Sequence, residues 1–253
     1  MTRIAFAYAQ ARLQARHGQR PGPLDWRRLQ GVEDVVHYLQ VARRTRLAPW
    51  VEDLHGEDDS DAVELVLRRR FYEYIDEAGQ WLPQPWREST RWLKRFPDLP
   101  ALQHLMSGQE PPAWMSRDTQ LRPFTPGDSG QRRRALRDSD CAVLVAAWER
   151  GESLTGAWFR HWRASWTTQA APGLEQLAAC LRRFLRTSGA LEGGGFEQRR
   201  EALQARLTSI FRRYSFQPAA CYAHLALIAL DLMRLRAELL RRILFADGEA
   251  GAG

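Results

Sequence analysis

The chain has 253 residues, of which 44% are hydrophobic and ten are tryptophan. That is enough to bury a core as one large domain or two small ones, and it excludes a disordered chain. The formal charge of +7 comes almost wholly from arginine, Lys94 being the only lysine, and the 30 acidic residues are interspersed with the basic ones; a mixed charged surface of this kind argues against a dedicated nucleic-acid stripe.

Residues 3–17 read as a helix with Ile4, Tyr8, Ala11 and Ala15 on one side and Arg12 and Arg16 on the other. The breaker RPGP (20–23) ends it, and Asp25 caps a short helix through Trp26 and Leu29. Val32–Thr45 offers Val35, Val36, Leu39 and Ala42 as an apolar face. HGEDDSD (55–61) is an acidic loop without the EF-hand spacing, in which Ser60 or Asp61 caps the next helix. That helix, Asp61–Ala78, turns Val63, Leu67, Phe71, Tyr74, Ile75 and Ala78 inward. Glu64 falls at the margin of this face, while Arg68, Arg69 and Arg70 read as a solvated basic run. Gly79 ends the helix. Further helices follow over Pro85–Arg95 and Leu99–Met106, closing an N-terminal half at residues 1–106.

Residues 107–131 are rich in Pro, Gly and Ser and have no periodicity, which predicts a linker or long exposed loop. The C-terminal half, 132–253, opens with a helix carrying Leu136, Val143, Leu144 and Ala147. In GAWFRHWRASW (156–166), Trp158, Trp162 and Trp166 recur every fourth residue, interleaved with Arg160 and Arg163. Such a stripe fits a core, or alternatively a surface that stacks on bases or grips a partner. Amphipathic helices follow from Pro172 and from Phe196 to Tyr214, separated by GALEGGG (189–195), which reads as a flexible break.

The whole chain is organised around its last helix, 218–245, which is apolar around most of its circumference. A helix of that kind must be surrounded by others, so the fold class is all-α with this helix central. His224, Asp231, Glu238 and Arg242 form one narrow polar face, with Arg234 and Arg241 beside it. Arg236 projects instead among Leu225, Leu232, Leu239 and Ile243, on the side expected to be buried. Asp231, Arg234, Arg236 and Glu238 argue against a membrane span.

Catalytic patterns are missing from the chain. The GGG at 193–195 has no following Lys-Ser/Thr, the six histidines lack paired-ligand spacing, and no GxSxG elbow occurs. Cys141, Cys180 and Cys221 form no CxxC pair or zinc set, which suits a reduced, cytosolic setting. The N-terminus has no apolar core followed by a cleavage site, so no signal peptide is expected. No cofactor, metal or catalytic residue is expected, EDDSD (57–61) being the one cluster that an enzymatic reading would use.

Several positions resemble a known pattern. Tyr8-Ala9-Gln10-Ala11-Arg12, then Leu24-Asp25-Trp26 and Leu29, are followed by Thr45 and by Glu64-Leu65-Val66-Leu67. The last helix adds Pro218, Tyr222 and Asp231-Leu232-Met233-Arg234-Leu235-Arg236. In this order the chain resembles the C-type coupling subunits of bacterial and archaeal V/A-type rotary ATPases, which are related to the d-type subunits of eukaryotic V-ATPases. Asp231 stands where that family has Glu, Arg234 where it has Asn and Ala229 where an acidic residue is usual, so the resemblance is to a divergent member. The resemblance implies a funnel of related helical units that receives the central shaft on the membrane rotor ring. It also implies a cytoplasmic body peripheral to the membrane, active in ion (proton) transport without an active site of its own. It further suggests a buried Glu64–Arg236 ion pair joining the first half to the last helix. The alternative reading is a basic helical nucleic-acid-binding or adaptor protein using the Trp158/Trp162/Trp166 and Arg160/Arg163 surface.

Overall fold

In the computed structural model, which describes residues 3–167, 172–188 and 195–250, every regular element is helical. The α-helices in chain order are α1 (Ala7–Gly18), α2 (Pro23–Leu29), α3 (Val35–Ala42), α4 (Ala48–Val51) and α5 (Ser60–Trp81). Then come α6 (Arg87–Arg91), α7 (Leu99–Met106), α8 (Ala113–Arg117), α9 (Ser129–Arg137) and α10 (Ala142–Glu149). The chain ends with α11 (Leu154–Ala164), α12 (Pro172–Ser188), α13 (Gly195–Arg213) and α14 (Pro218–Ala250).

Local chemistry sets most boundaries. Asp34 accepts the His37 N–H at the start of α3, and Asp59, one residue before the predicted caps, accepts the Ala62 N–H at the start of α5. Asp128 and Gln131 form a reciprocal capping box on α9. Gly79 does not stop α5: it sits in helical conformation opposite Thr90 of α6, and the helix continues to Trp81. Pro85–Arg95 is not one helix but α6 between two 3-10 turns. The break at GALEGGG falls mostly on residues 189–194, outside the described residues.

α14 is the axis of the molecule. Its first half sends Leu225, Leu227 and Leu230 into a large aromatic-rich core shared with α1, α5–α7 and α9–α13. Ile228, Leu232, Leu235 and Leu239 enter a smaller core built by α2, α3, α4 and the start of α5. Phe71 and Tyr74 of α5 pack against both. By length and composition Pro218–Leu244 is apolar enough to cross a membrane, but 78% of its most apolar window is buried within the protein.

Segment 107–131 is mostly exposed, as expected, but it is anchored to the body rather than free and carries the short helix α8. Met115, Leu121 and Phe124 are buried in the large core, and Arg132 ties the segment back through Glu110 (3.0 Å) and the Gly127 carbonyl (2.7 Å). Its Pro and Gly residues shape short turns between anchors rather than a tether. The face of α1 is also rotated from the expected one. Phe6, Ala9 and Leu13 are buried, whereas Ile4 and Tyr8 are 82% and 60% exposed.

Candidate functional site: the buried ionic seams of the last helix

The polar stripe of α14 faces inward. His224, Asp231 and Arg242 are all buried, because α1, α3 and α13 cover that side. Each of the three finds a partner there, which is what makes burial of polar groups tolerable.

Arg20, placed just beyond α1 by the turn before Pro23, grips Asp231 in bidentate fashion at 2.8 and 3.1 Å and reaches the Leu227 carbonyl. Burial pushes the Asp231 carboxyl up to about 6, against the pull of Arg20. Two turns earlier along the helix, the ring of His224 shares a 2.7 Å hydrogen bond with the Tyr74 hydroxyl. His17 stacks on Phe211 at 4.2 Å and meets His224 edge-on at 5.8 Å. Burial, with neighbouring arginines, lowers His17 to about 4 and His224 to about 3. Both imidazoles are therefore neutral at pH 7. Farther along, Arg242 donates to the Val32 carbonyl (2.7 Å), to Glu238, and lies 4.0 Å over the Tyr38 ring. Arg234 sits 4.3 Å over Trp26. The stripe thus pins the last helix to the first three.

A second ionic cluster lies behind α5. Arg68, read from sequence as solvated, is buried. It donates to Asp118 (2.8 Å), the Pro97 carbonyl (3.0 Å), the Tyr72 hydroxyl (2.6 Å) and Asp98, with Trp114 5.4 Å away across its planar face. Asp98 is wholly inaccessible and also accepts from Tyr72 and from Arg95, which clasps Asp140 as well. Asp118 in turn accepts the Gln120 and Leu121 amides, so the cluster fixes the very segment expected to be a linker. Arg68 lies on one helical row with Tyr72 and Ile75, four and seven residues on, and that spacing was the available signal of its burial.

The Glu64–Arg236 ion pair is present, but it is not buried. The Arg236 side chain is 51% exposed and Glu64 23%, and Glu64 lies also 3.7 Å from Arg68. The apolar row around Arg236 is divided between two cores, and the arginine falls at the rim between α5 and α14.

The tryptophan stripe is core. Trp158 and Trp162 are buried and stack at 5.5 Å, and Trp166, half-buried, meets Trp162 edge-on at 5.1 Å. Trp158 and Trp92 exchange indole N–H to carbonyl hydrogen bonds at 3.3 and 3.2 Å. Arg160 and Arg163 are on the surface, paired with Glu152 and Glu175. No stacking surface of the kind expected for bases is formed by these five residues. Of the motif residues, Tyr222 is buried with its hydroxyl on Ser89 (2.5 Å) and Thr90 (3.3 Å). Tyr8 and Arg12 lie on the outer side of α1, Arg12 at 5.7 Å from the Tyr8 ring and 5.8 Å from Trp81. Asp58 and Asp59 of EDDSD cap backbone amides, and among the described residues no cluster of three or more His, Cys, Asp or Glu is arranged to hold a metal.

No family model, curated protein or solved structure matches the chain.

Proposed function

We propose that this protein is a non-catalytic coupling subunit of a V/A-type rotary ATPase, a divergent relative of the C-type and d-type subunits that links the central shaft to the membrane rotor ring from the cytoplasmic face. The observation that carries this reading is the Arg20–Asp231 clasp. It joins the end of the helix bearing Tyr8 and Arg12 to the helix bearing Tyr222 and Asp231, so the two motif-bearing ends of the chain support one another within an all-helical body. A torque-transmitting part has to be stiff. The buried arginine seams supply stiffness of a directional kind, since a bidentate guanidinium resists sliding as well as separation.

The test is affinity purification of the tagged protein from gently solubilised native membranes, with co-purifying chains identified by mass spectrometry. Recovery of rotor-ring and shaft subunits at low and moderate salt is the expected result. Recovery of nucleic acid that is lost as salt rises, or of no partner at all, overturns the reading.

A further inference from the structure

One cavity borders the buried seam of the last helix and shares Arg20 and Tyr74 with it. It has a volume of about 380 Å³ and opens between α1, the α3–α4 turn, α5 and α14. That size is within the range of small-molecule sites, roughly 300–1,000 Å³.

Its lining sets four arginines, Arg16, Arg20, Arg46 and Arg70, against two glutamates, Glu73 and Glu77. Three of the arginines are already committed, Arg16 to Glu77 (2.7 Å), Arg20 to Asp231 and Arg70 to Asp53 (2.7 Å). Arg46 is different. Its one hydrogen bond is a 3.3 Å donation to the Arg20 carbonyl, and among the described residues no carboxylate pairs with it. The Thr45 hydroxyl holds the turn on either side of it, donating to the Ala42 carbonyl (2.7 Å) and accepting the Leu47 amide (3.1 Å), which carries Arg46 to the cavity mouth. Apolar lining comes from Trp50 and Tyr74, whose rings meet at 5.5 Å with a 51° tilt, and from Ile228. His17 and His224 lie just behind, both lowered first by burial, His17 then by Arg20 and Arg212 and His224 then by His17, Arg20 and Arg16.

We propose that this cavity is a binding site for a small organic phosphate with a flat aromatic body, of the nucleoside monophosphate class. The uncommitted fork of Arg46, seconded by the outer donors of Arg16 and Arg70, takes the phosphate oxygens, and the Trp50–Tyr74 wall takes the ring. This inference is independent of the coupling role.

Calorimetric titration of the full chain with adenosine monophosphate, inorganic phosphate and adenosine tests it. The expected result is saturable one-site binding of the monophosphate, tighter than either inorganic phosphate or the nucleoside alone. R46E is expected to weaken it at least about tenfold, the equivalent of one charge-assisted contact, with unchanged thermal unfolding in the absence of ligand. R236Q, which removes an exposed arginine elsewhere, should leave it unchanged. Absence of monophosphate binding overturns the proposal, as does equal weakening by R46E and R236Q, which would mean non-specific attraction. Binding of a glutamate-rich peptide with none of the phosphates overturns it in favour of an acidic protein segment.

Discussion

Arg68 and Arg236 flank the same carboxylate, Glu64, yet they live in opposite environments. Arg68 is enclosed by Asp98, Asp118, Tyr72 and a carbonyl, whereas Arg236 reaches Glu64 across an open rim. From one helix at a time the assignments come out reversed, with Arg68 in solvent and Arg236 in the core. The difference lies in what covers each face. The segment after α7 folds over Arg68, which finds its two aspartates at the start of that helix and beyond α8, while no described segment closes over Arg236. A buried guanidinium persists only where carboxylates and carbonyls are brought to it, and those acceptors came from parts of the chain 30 and 50 residues away.

The largest expected effect comes from breaking the enclosed cluster. Arg68→Met leaves Asp98 and Asp118 buried without their main partner and should cost about 3–5 kcal/mol in urea unfolding. The loss should be accompanied by proteolytic cleavage within 107–131, the segment the cluster holds. A change below about 1 kcal/mol would mean that the cluster does not hold the segment in place.

Arg20→Met is expected to cost somewhat less, about 2–3 kcal/mol at pH 7, because Asp231 can take up a proton when its partner is gone. Measured against wild type at each pH, this variant should therefore recover part of the loss between pH 7 and 5. A variant that loses ground relative to wild type over the same range would contradict the buried clasp.

The wild-type pH profile is a third measure. The folded-state values of His17 (about 4) and His224 (about 3) are depressed, so their contribution is complete above the unfolded value near 6.5 and is lost as pH falls toward 4 and 3. Asp231, raised to about 6, acts in the opposite sense, with a contribution that is complete below 3.8 and lost as pH rises through 6. Two groups outweigh one, and the charges facing them, Arg16 and Arg20 from the first helix and its exit and Arg212 from α13, all disfavour imidazolium. His17 is only half-buried, so solvent screens its share and His224 carries the larger part. Stability should fall by roughly 1–2 kcal/mol between pH 6.5 and 5. His224→Phe should remove most of that slope.

The smallest effect belongs to the surface pair. Arg236→Ala and Glu64→Gln should each cost under about 1 kcal/mol, with a coupling energy in a double-mutant cycle of at most about 0.5 kcal/mol and sensitive to salt. A coupling of several kcal/mol would place this pair with the enclosed cluster after all.

Much of the architecture was legible in the sequence because hydrophobic periodicity and capping residues act locally. The all-α class, the central last helix and the aromatic stripe at Trp158, Trp162 and Trp166 follow from spacing alone, and Leu99–Met106 has the boundaries its flanking residues predict. The face of α1 was not legible, since Ile4 and Tyr8 are as apolar as Phe6 and Ala9 and only neighbours decide which row is covered. Nor was the inward turn of His224, Asp231 and Arg242. A narrow polar stripe looks the same whether it meets water or a set of matching partners.

The sequence by itself determined that the chain is all-helical and that α14 must be surrounded, because both depend on the chain's own apolar pattern. Only the tertiary structure decided where the charges go. Burial of Arg68 and Arg242, the Arg20–Asp231 clasp, exposure of Arg236 and the anchoring of 107–131 each depend on partners far apart in the chain. The cost of removing a charge from water is offset only by a specific carboxylate or carbonyl at hydrogen-bond distance, and no local pattern encodes that distance.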